Sequence, residues 1–116
     1  MNRNFRLTGS TDFKRVRRSG KSYAHPLVVL VVVPAPENQS RFGVIAGRSV
    51  GKAVQRNRAK RMLREALRSL LPTIQPGWNV ILIARKPILT ANLTVIQETL
   101  RQLFAKAELI IDTHGN

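Results

Sequence analysis

The residues with the clearest capacity for chemistry are basic and lie between Arg48 and Arg68. This stretch of 21 residues holds eight basic side chains and a single acid, Glu65. Ordinary solvated helices mix charges of both signs, whereas here Lys60 and Arg64 stand one helical turn apart with like charge. Arginine outnumbers lysine, which suits bidentate contacts with phosphates and stacking on unpaired bases. The pattern therefore favours binding of a polyanion over a merely solvated surface.

The same stretch predicts a long helix with two different faces. Residues 53–71 contain neither Gly nor Pro and are rich in good helix formers, and Pro72 stops the pattern. At about 100° per residue, polar residues fall on one face and apolar residues on the opposite one. The polar face consists of Asn57, Lys60, Arg61, Arg64 and Arg68, and the apolar face of Ala59, Leu63, Ala66, Leu67 and Leu70. Arg56 falls nearer the apolar side and Arg58 on the far flank, so these two arginines are expected to contact different groups.

No other constellation of residues suggests catalysis by the protein itself. Cysteine is absent, which removes disulfides, thiolate metal sites and cysteine nucleophiles. The six acids are scattered singly, and His25 and His114 are isolated in the sequence. The loop at residues 47–52 contains glycines but lacks the spacing of a nucleotide-binding loop. We therefore predict no catalytic residues, and the sequence identifies no metal site or cofactor of the chain itself.

The composition indicates one folded domain that binds nucleic acid. Twenty Lys and Arg stand against six Asp and Glu, a formal charge of +14, while a hydrophobic content of 43% is enough for a folded core. We predict a single domain over residues 1–116, with an ordered core from about 7 to 106 and a frayed tail at 109–116. The longest apolar run, residues 27–33, is too short to cross a bilayer, and no secretion signal is evident. We expect a cytoplasmic protein with no membrane partner and no small-molecule substrate.

Hydrophobic periodicity predicts six elements in the order αββαβα. A first helix is capped by Ser10 or Thr11 and ends near Gly20, and strands cover residues 27–33, 41–46 and 79–84. The first strand, all Val and Leu, is expected at the sheet centre, paired with the second strand as a hairpin. The last helix follows a capping box formed by Thr94 and Gln97 and runs to about Lys106. The helices are expected to pack on a small sheet and to share one core with it.

Residues 41–66, RFGVIAGRSVGKAVQRNRAKRMLREA, closely resemble the signature of the bacterial ribonuclease P protein family. The Arg-Asn-Arg motif at 56–58 would be weak alone, but it follows a strand and a glycine-bearing loop and precedes Lys-Arg-x-x-Arg-Glu-Ala. Asp12 with Phe13 and residues 84–87 fit the family more loosely. The resemblance implies an α/β (α+β) two-layer sandwich of the ribosomal protein S5 domain 2-like type. It also implies an uncommon left-handed βαβ crossover that holds the Arg-Asn-Arg helix.

The resemblance also implies a function and two partners. In the family, a catalytic RNA subunit that requires magnesium cleaves the 5′ leader from precursor tRNA by endonucleolytic hydrolysis, and the protein subunit assists. The expected partners are therefore the RNA subunit of ribonuclease P and precursor tRNA. The basic helix and its loop bind the RNA subunit in the family. The matching residues here are Arg48, Lys52, Arg56, Asn57, Arg58, Lys60, Arg61, Arg64 and Arg68.

A second surface, a cleft between the first helix and the sheet, takes the single-stranded leader in the family. The residues assigned to it here are Phe13, Arg15, Arg17, Lys21, Val28 and Val31. Related chains often place aromatics at positions 17, 28 and 31, so this chain offers less stacking surface and leans more on its basic residues. Phe13 is either exposed in this cleft or a core residue that anchors the first helix.

Two other functions stay open to the sequence. A non-catalytic ribosomal or ribosome-assembly protein would show the same charge, length and arginine-rich helix, and only the motif context argues against it. A DNA-binding helix-turn-helix protein needs a second helix just before the basic one, whereas strands are predicted there.

The substitution Phe13→Ala separates the two positions proposed for Phe13. A base stacked on an exposed ring is worth about 1–3 kcal/mol, so we expect affinity for precursor tRNA to fall roughly five- to hundredfold, with mature tRNA affinity unchanged. Truncating a buried Phe would instead cost about 3–5 kcal/mol of stability and weaken all binding together. The measurement pairs the melting temperature with the ratio of precursor to mature tRNA affinity in the holoenzyme. An unchanged ratio with a lowered melting temperature would place Phe13 in the core.

Overall fold

A four-stranded sheet and two helices make up the computed structural model, which describes residues 20–35 and 40–111. The strands are β1 (Lys21–Ala24), β2 (Val28–Pro34), β3 (Arg41–Ile45) and β4 (Trp78–Ala84), and the helices are α1 (Ala53–Leu70) and α2 (Leu93–Lys106). Short 3-10 helices, Leu71–Thr73 and Lys86–Thr90, follow α1 and β4. The predicted first helix and residues 112–116 of the predicted tail lie outside the described residues. The start of that tail is not frayed, since Leu109 is buried and Ile110 forms an isolated β-bridge with Ile74. In the part of the chain that is described, neither helix is long and apolar enough to cross a membrane.

The strand order, β1-β2-β4-β3, differs from the predicted hairpin. Strand β2 pairs antiparallel with β1 on one side and with β4 on the other, and β3 pairs parallel with β4. The interior position of β2 is confirmed, but the predicted pairing of residues 27–33 with 41–46 is wrong. Strand β4 lies between them because it is almost wholly apolar and buried, and at the centre both of its edges are hydrogen-bonded.

Strand β1 is an element that the periodicity of the sequence does not predict. It has four residues, of which only Tyr23 contacts the core, and the other three are exposed. A short strand of this composition carries no alternation of apolar and polar residues. It forms because β2 offers a free edge, and its lysine suits an edge position.

Alternation along the strands gives the sheet two different faces. Val28, Leu30 and Val32 of β2 belong to the main core, which the sheet shares with α1 and α2. Val31 instead joins Ile81 of β4 in a smaller apolar cluster on the opposite face. Successive side chains of a strand point to opposite sides, so a spacing of three residues always separates two faces.

Helix α1 connects the parallel strands β3 and β4 and packs its apolar face against the sheet and α2. Ala59, Leu63, Ala66 and Leu67 have no exposed surface, while Leu70 is half-buried. Each fully buried leucine contributes about 1.5–3 kcal/mol to folding, enough to fix the rotation of the helix about its axis. The predicted apolar face is therefore confirmed at its centre.

Helix α2 begins two residues before the predicted capping box. Asn92 is the residue that caps it, since its Oδ1 accepts a hydrogen bond of 2.9 Å from the backbone N–H of Val95. The preceding 3-10 helix ends with a bond from the Ala91 N–H to the Ile88 carbonyl, which places Asn92 at the start of the next helix. Asparagine is also a better N-cap than threonine.

The other end of α2 stops in a strained turn. The N–H of Glu108 donates to the Ala105 carbonyl and the N–H of Leu109 to that of Phe104, the bonding pattern of a Schellman motif. The motif requires a left-handed residue at position 108, and Glu108 has a φ of 61°. Glycine usually occupies this position because a Cβ atom is unfavourable there. Buried Leu109 anchors the turn, so the strain is held by core packing.

The substitution Glu108→Gly is therefore expected to raise the free energy of unfolding by about 1 kcal/mol, because it relieves the left-handed conformation. Urea denaturation at neutral pH measures the change. The matched control, Glu108→Ala, removes the same carboxylate but keeps the Cβ atom, and we expect no comparable gain. Equal stabilisation by both variants would show that the charge, and not the backbone, is responsible.

Candidate nucleic-acid interface

The polar face of α1 projects away from the core, as predicted. Asn57, Arg61 and Arg68 are exposed, and Lys60 and Arg64 are half-buried, with their aliphatic stems beside the helix. Because the opposite face is held by the core, these side chains are presented from a rigid element with a spacing set by the helix. The face can meet several phosphates of one rigid polyanion at the same time.

Most cations in this region have no acidic partner. Among the described residues, only Arg68 forms an ion pair there, at 3.6 Å from Glu65 on the next turn. Within residues 20–35 and 40–111, no carboxylate pairs with Arg48, Lys52, Arg56, Arg58, Lys60, Arg61 or Arg64. Elsewhere the chain does pair its charges: Arg101 of α2 donates a 3.0 Å hydrogen bond to Glu98, and this bond lowers the pKa of Glu98. The positive field of α1 is therefore left uncompensated.

Arg56 lies at the edge of the apolar face, as its helical angle predicts. It is half-buried, and its Nε is buried without a hydrogen-bond partner in the described structure. Leaving such a donor unsatisfied costs about 1–3 kcal/mol, which an acceptor on a ligand would recover if the side chain shifted toward it. Arg58, on the far flank, is exposed. The side chains of the two arginines that bracket Asn57 therefore lie on different sides of α1.

The loop before α1 adds two more exposed cations. Two consecutive turns form it, closed by bonds from the Val50 N–H to the Gly47 carbonyl (3.0 Å) and from the Gly51 N–H to that of Arg48 (3.1 Å). Val50 is buried and anchors the loop, while Arg48 and Lys52 are exposed.

Glycine is required at position 51 of this loop. Gly51 has a φ of 146°, and a Cβ atom there would lie 2.1 Å from the Gln55 Oε1. That oxygen accepts the Lys52 N–H at 2.8 Å and so helps to start the helix. Gly51 therefore allows the loop to lead directly into the first turn of α1.

The residues assigned to the leader cleft do not form one surface. Phe13, Arg15 and Arg17 lie outside the described residues. Lys21 pairs with Val32 on β1 and β2, so it projects on the helix-bearing face of the sheet, whereas Val31 is on the opposite face.

The assignment of Val28 to a ligand surface needs correction. Val28 has no exposed surface and lies in the main core, so its side chain is not available for contact. Val28 and Val31 are three residues apart on one strand, and an odd spacing places them on different faces. Val31 is 3% exposed and lies on the face opposite α1 and α2.

Arg85 and Lys86 are two further cations near this interface, and neither is among the residues predicted from the sequence to bind RNA. Both are exposed and directly follow β4, and the Lys86–Thr90 segment contacts α1. The parallel strands β3 and β4 end on the same side of the sheet. Arg85 and Lys86, which follow β4, therefore lie on the side where the loop from β3 to α1 begins. The signal available in the sequence was the charged pair directly after an apolar strand. Across the residues described, no three His, Asp or Glu side chains converge as a metal site would require.

A family model described as Ribonuclease P matches residues 1–108 of the chain. The chain belongs to the ribonuclease P protein family. The ribonuclease P protein component of Herpetosiphon aurantiacus is 45% identical over 109 residues, which cover 94% of this chain and 89% of that protein. Among solved structures, the RNase P protein of Staphylococcus aureus is 28% identical with a TM-score of 0.80, covering 91% of this chain and 97% of that one. The RNase P protein of Thermotoga maritima is 30% identical with a TM-score of 0.75, covering 86% and 96%.

Family membership confirms the resemblance found in the Arg-Asn-Arg segment. It also confirms the α+β fold class, since the sheet and its two helices superpose on RNase P proteins over most of their length. A ribonuclease P protein component is part of a ribonucleoprotein of tRNA processing, so its partner is RNA. The phosphates of such a partner would attract the cations of α1 and its loop, seven of which have no acidic partner among the described residues.

The substitution Arg61→Glu tests the face assignment of α1. Arg61 is exposed and makes no ion pair with the described residues, so we expect an unchanged circular dichroism spectrum and a loss of RNA-subunit binding of at least tenfold. Filter binding with the RNA subunit of ribonuclease P measures the affinity. The matched control is Arg101→Glu on α2, which makes the same change in net charge on a residue already paired with Glu98. Equal losses for both variants would show that only net charge matters and would contradict a defined interface.

Proposed function

We propose that this chain is the RNA-binding protein subunit of ribonuclease P, which assists a catalytic RNA in removing the 5′ leader from precursor tRNA. The observation that carries the proposal is the set of seven cations on α1 and its loop without acidic partners among the described residues. Like charges at this density repel one another and destabilise an isolated helix. A polyanion bound along the face would remove that repulsion. Because the chain belongs to the ribonuclease P protein family, we take this polyanion to be RNA.

The proposed contact with the RNA subunit is mainly electrostatic. Each arginine or lysine that neutralises a phosphate releases condensed counterions, and the entropy gain drives association. Arginine also gives two parallel hydrogen bonds to a phosphate, which fixes the orientation of the RNA. Arg56 and Arg58 point to different sides of Asn57, so this pair is suited to holding two separate RNA segments. The chain's role is to bind and position, and magnesium-dependent hydrolysis is assigned to the RNA subunit.

The single-stranded leader is assigned to the face of the sheet that carries Val31. Val29, Val33, Ile45 and Ile83 are half-buried there around the buried pair Val31 and Ile81, so apolar surface is available for bases. Asn79 of β4, next to Val33 in register, has an amide oxygen without a hydrogen-bond partner in the described structure. The predicted contacts from Phe13, Arg15 and Arg17 complete this proposal, while Val28 and Lys21 are excluded by their position on the other face.

Precursor tRNA cleavage tests the proposal directly. The purified protein is added to a ribonuclease P RNA in low magnesium, where we expect it to stimulate removal of the 5′ leader. A stimulation that Arg61→Glu abolishes and Arg101→Glu retains would support the role of α1. Protein that binds RNA but gives no stimulation at any salt concentration would favour the ribosomal alternative.

The salt dependence of RNA-subunit binding provides a second readout of the same proposal. With roughly seven phosphates neutralised, affinity is expected to fall about a thousandfold between 50 and 200 mM monovalent salt. Arg61→Ala should reduce the slope of log affinity against log salt by about 0.7–0.9, one phosphate contact, and Arg101→Ala should leave it unchanged. A slope near zero for the unmodified protein would contradict phosphate binding by α1.

A further inference from the structure

A cleft of about 430 Å³ opens on the helix-bearing face of the sheet, away from the Val31 face. It lies between the start of β1, the end of β2 with the start of β4 beside it, and the end of α2. The residues that matter for its chemistry are Lys21, Tyr23, Trp78, Lys106 and Glu108. They come from four separate elements and meet only in the folded chain. None of them belongs to the surface of α1.

The walls of this cleft combine aromatic rings with charges. Tyr23 and Trp78 are half-buried, packed against the core while still lining the cleft. Lys21, Lys106 and Glu108 are exposed, and no ion pair joins the carboxylate to either lysine among the described residues. The charged groups are thus available to a ligand. Aromatic faces beside free ammonium groups are the arrangement with which proteins hold single-stranded nucleic acid.

Glu108 is also the left-handed residue that ends α2. A glycine at this position would relieve the strain, whereas glutamate brings a carboxylate to the rim of the cleft at a cost in stability. Strain held in place by the core, at a residue lining a cleft, points to a role for that side chain in binding. Two independent observations, the lining of the cleft and the strained backbone, therefore converge on Glu108.

We infer that this cleft binds one unpaired guanine nucleotide of an RNA strand. The base stacks on the exposed part of Trp78 or Tyr23, and the ammonium groups of Lys21 and Lys106 contact its phosphates. The Glu108 carboxylate accepts hydrogen bonds from N1–H and N2–H of guanine. Guanine alone among the four bases presents two adjacent donors on its Watson–Crick edge. Adenine, cytosine and uracil place an acceptor beside their donor and would repel the carboxylate.

This site goes beyond the proposed contacts of the RNA subunit with α1 and of the leader with the Val31 face. Strand alternation puts Lys21 and Val31 on different faces, so one nucleotide cannot touch both. The resemblance assigned Lys21 to the leader cleft, whereas the inference assigns it to the phosphates of the nucleotide bound in this cleft. It can be tested on the protein without the RNA subunit, so its failure would not affect the proposed function.

Trp78 is the only tryptophan of the chain, so intrinsic fluorescence reports on this cleft. The full-length protein is titrated with the pentanucleotides UUGUU, UUAUU, UUCUU and UUUUU. We expect saturable quenching, with UUGUU bound about tenfold more tightly than UUUUU, the discrimination of a two-bond contact to a base edge. Oligonucleotides bound only to α1 would not quench the fluorescence of Trp78.

Two variants and a matched control assign the contacts. Glu108→Gln replaces one carboxylate acceptor by a donor and is expected to reduce the preference for UUGUU to less than threefold. Lys106→Ala should weaken all four oligonucleotides alike, by about three- to fivefold. Arg101→Ala, which removes an exposed cation of α2 outside the cleft, should have no such effect. Absence of quenching, equal quenching by all four sequences, or equal losses for Lys106→Ala and Arg101→Ala would overturn the inference.

Cross-linking in the assembled complex identifies the source of the nucleotide. The chain has no cysteine, so Ala107→Cys provides a single thiol in the cleft to which a photoreactive reagent is attached, and Arg101→Cys labelled in the same way provides a control on α2. Cross-links to an unpaired guanine support the site, in the RNA subunit or in precursor tRNA according to where they map. Labelling no stronger than that of the Arg101→Cys control would overturn it.

Discussion

Both the fold and the proposed RNA contacts depend on the packing of the apolar face of α1 against the sheet. Its apolar residues fill the space above β3 and β4, and the crossover between these parallel strands runs through the helix. Since Ala59, Leu63, Ala66 and Leu67 are fully buried, the helix cannot rotate about its axis without opening the core. The direction of Arg61 and of the other polar residues is therefore set by hydrophobic packing on the reverse side. The same packing makes their spacing rigid enough to match a structured polyanion.

Several features of the chain lower its own stability, and binding would offset each of them. In the described part of the chain, cations without acidic partners repel along α1, the Arg56 Nε has no acceptor, and Glu108 holds a left-handed backbone conformation. Ligands that bind only the folded state stabilise it by mass action, so an RNA partner would compensate for these costs. Arg68 and Arg101 each pair with a glutamate three residues earlier, so a compensating glutamate one turn away is sterically possible. Among the described residues, Arg56, Arg58, Arg61 and Arg64 of α1 have no such partner.

The sheet separates ligand surfaces by the alternation of its strands. Val31 faces the side away from the helices, proposed for the leader, while Lys21 and Tyr23 face the side on which α2 ends. A thin sheet of four strands can therefore present two chemically different surfaces without a second domain. The aromatic residues of the described chain are concentrated on the helix-bearing side, where Tyr23, Phe42, Trp78 and Phe104 contact the main core. Stacking on aromatic rings is consequently available at the cleft beside α2, and the Val31 face is aliphatic in its described part.

The sequence by itself determined the features that depend on near neighbours along the chain. The bounds and two faces of α1, the existence of β2, β3 and β4, and the Arg-Asn-Arg segment that carries the family resemblance follow from spacings of a few residues. Only the tertiary structure decided that β3 pairs with β4 instead of β2, that the mostly exposed residues 21–24 add a fourth strand, and that Val28 belongs to the core. It also brought Lys21, Trp78 and Glu108 to one cleft from three distant parts of the sequence. The physical reason is that helical and strand periodicity is local, whereas strand pairing is chosen by which arrangement buries the most apolar surface and satisfies the most backbone hydrogen bonds.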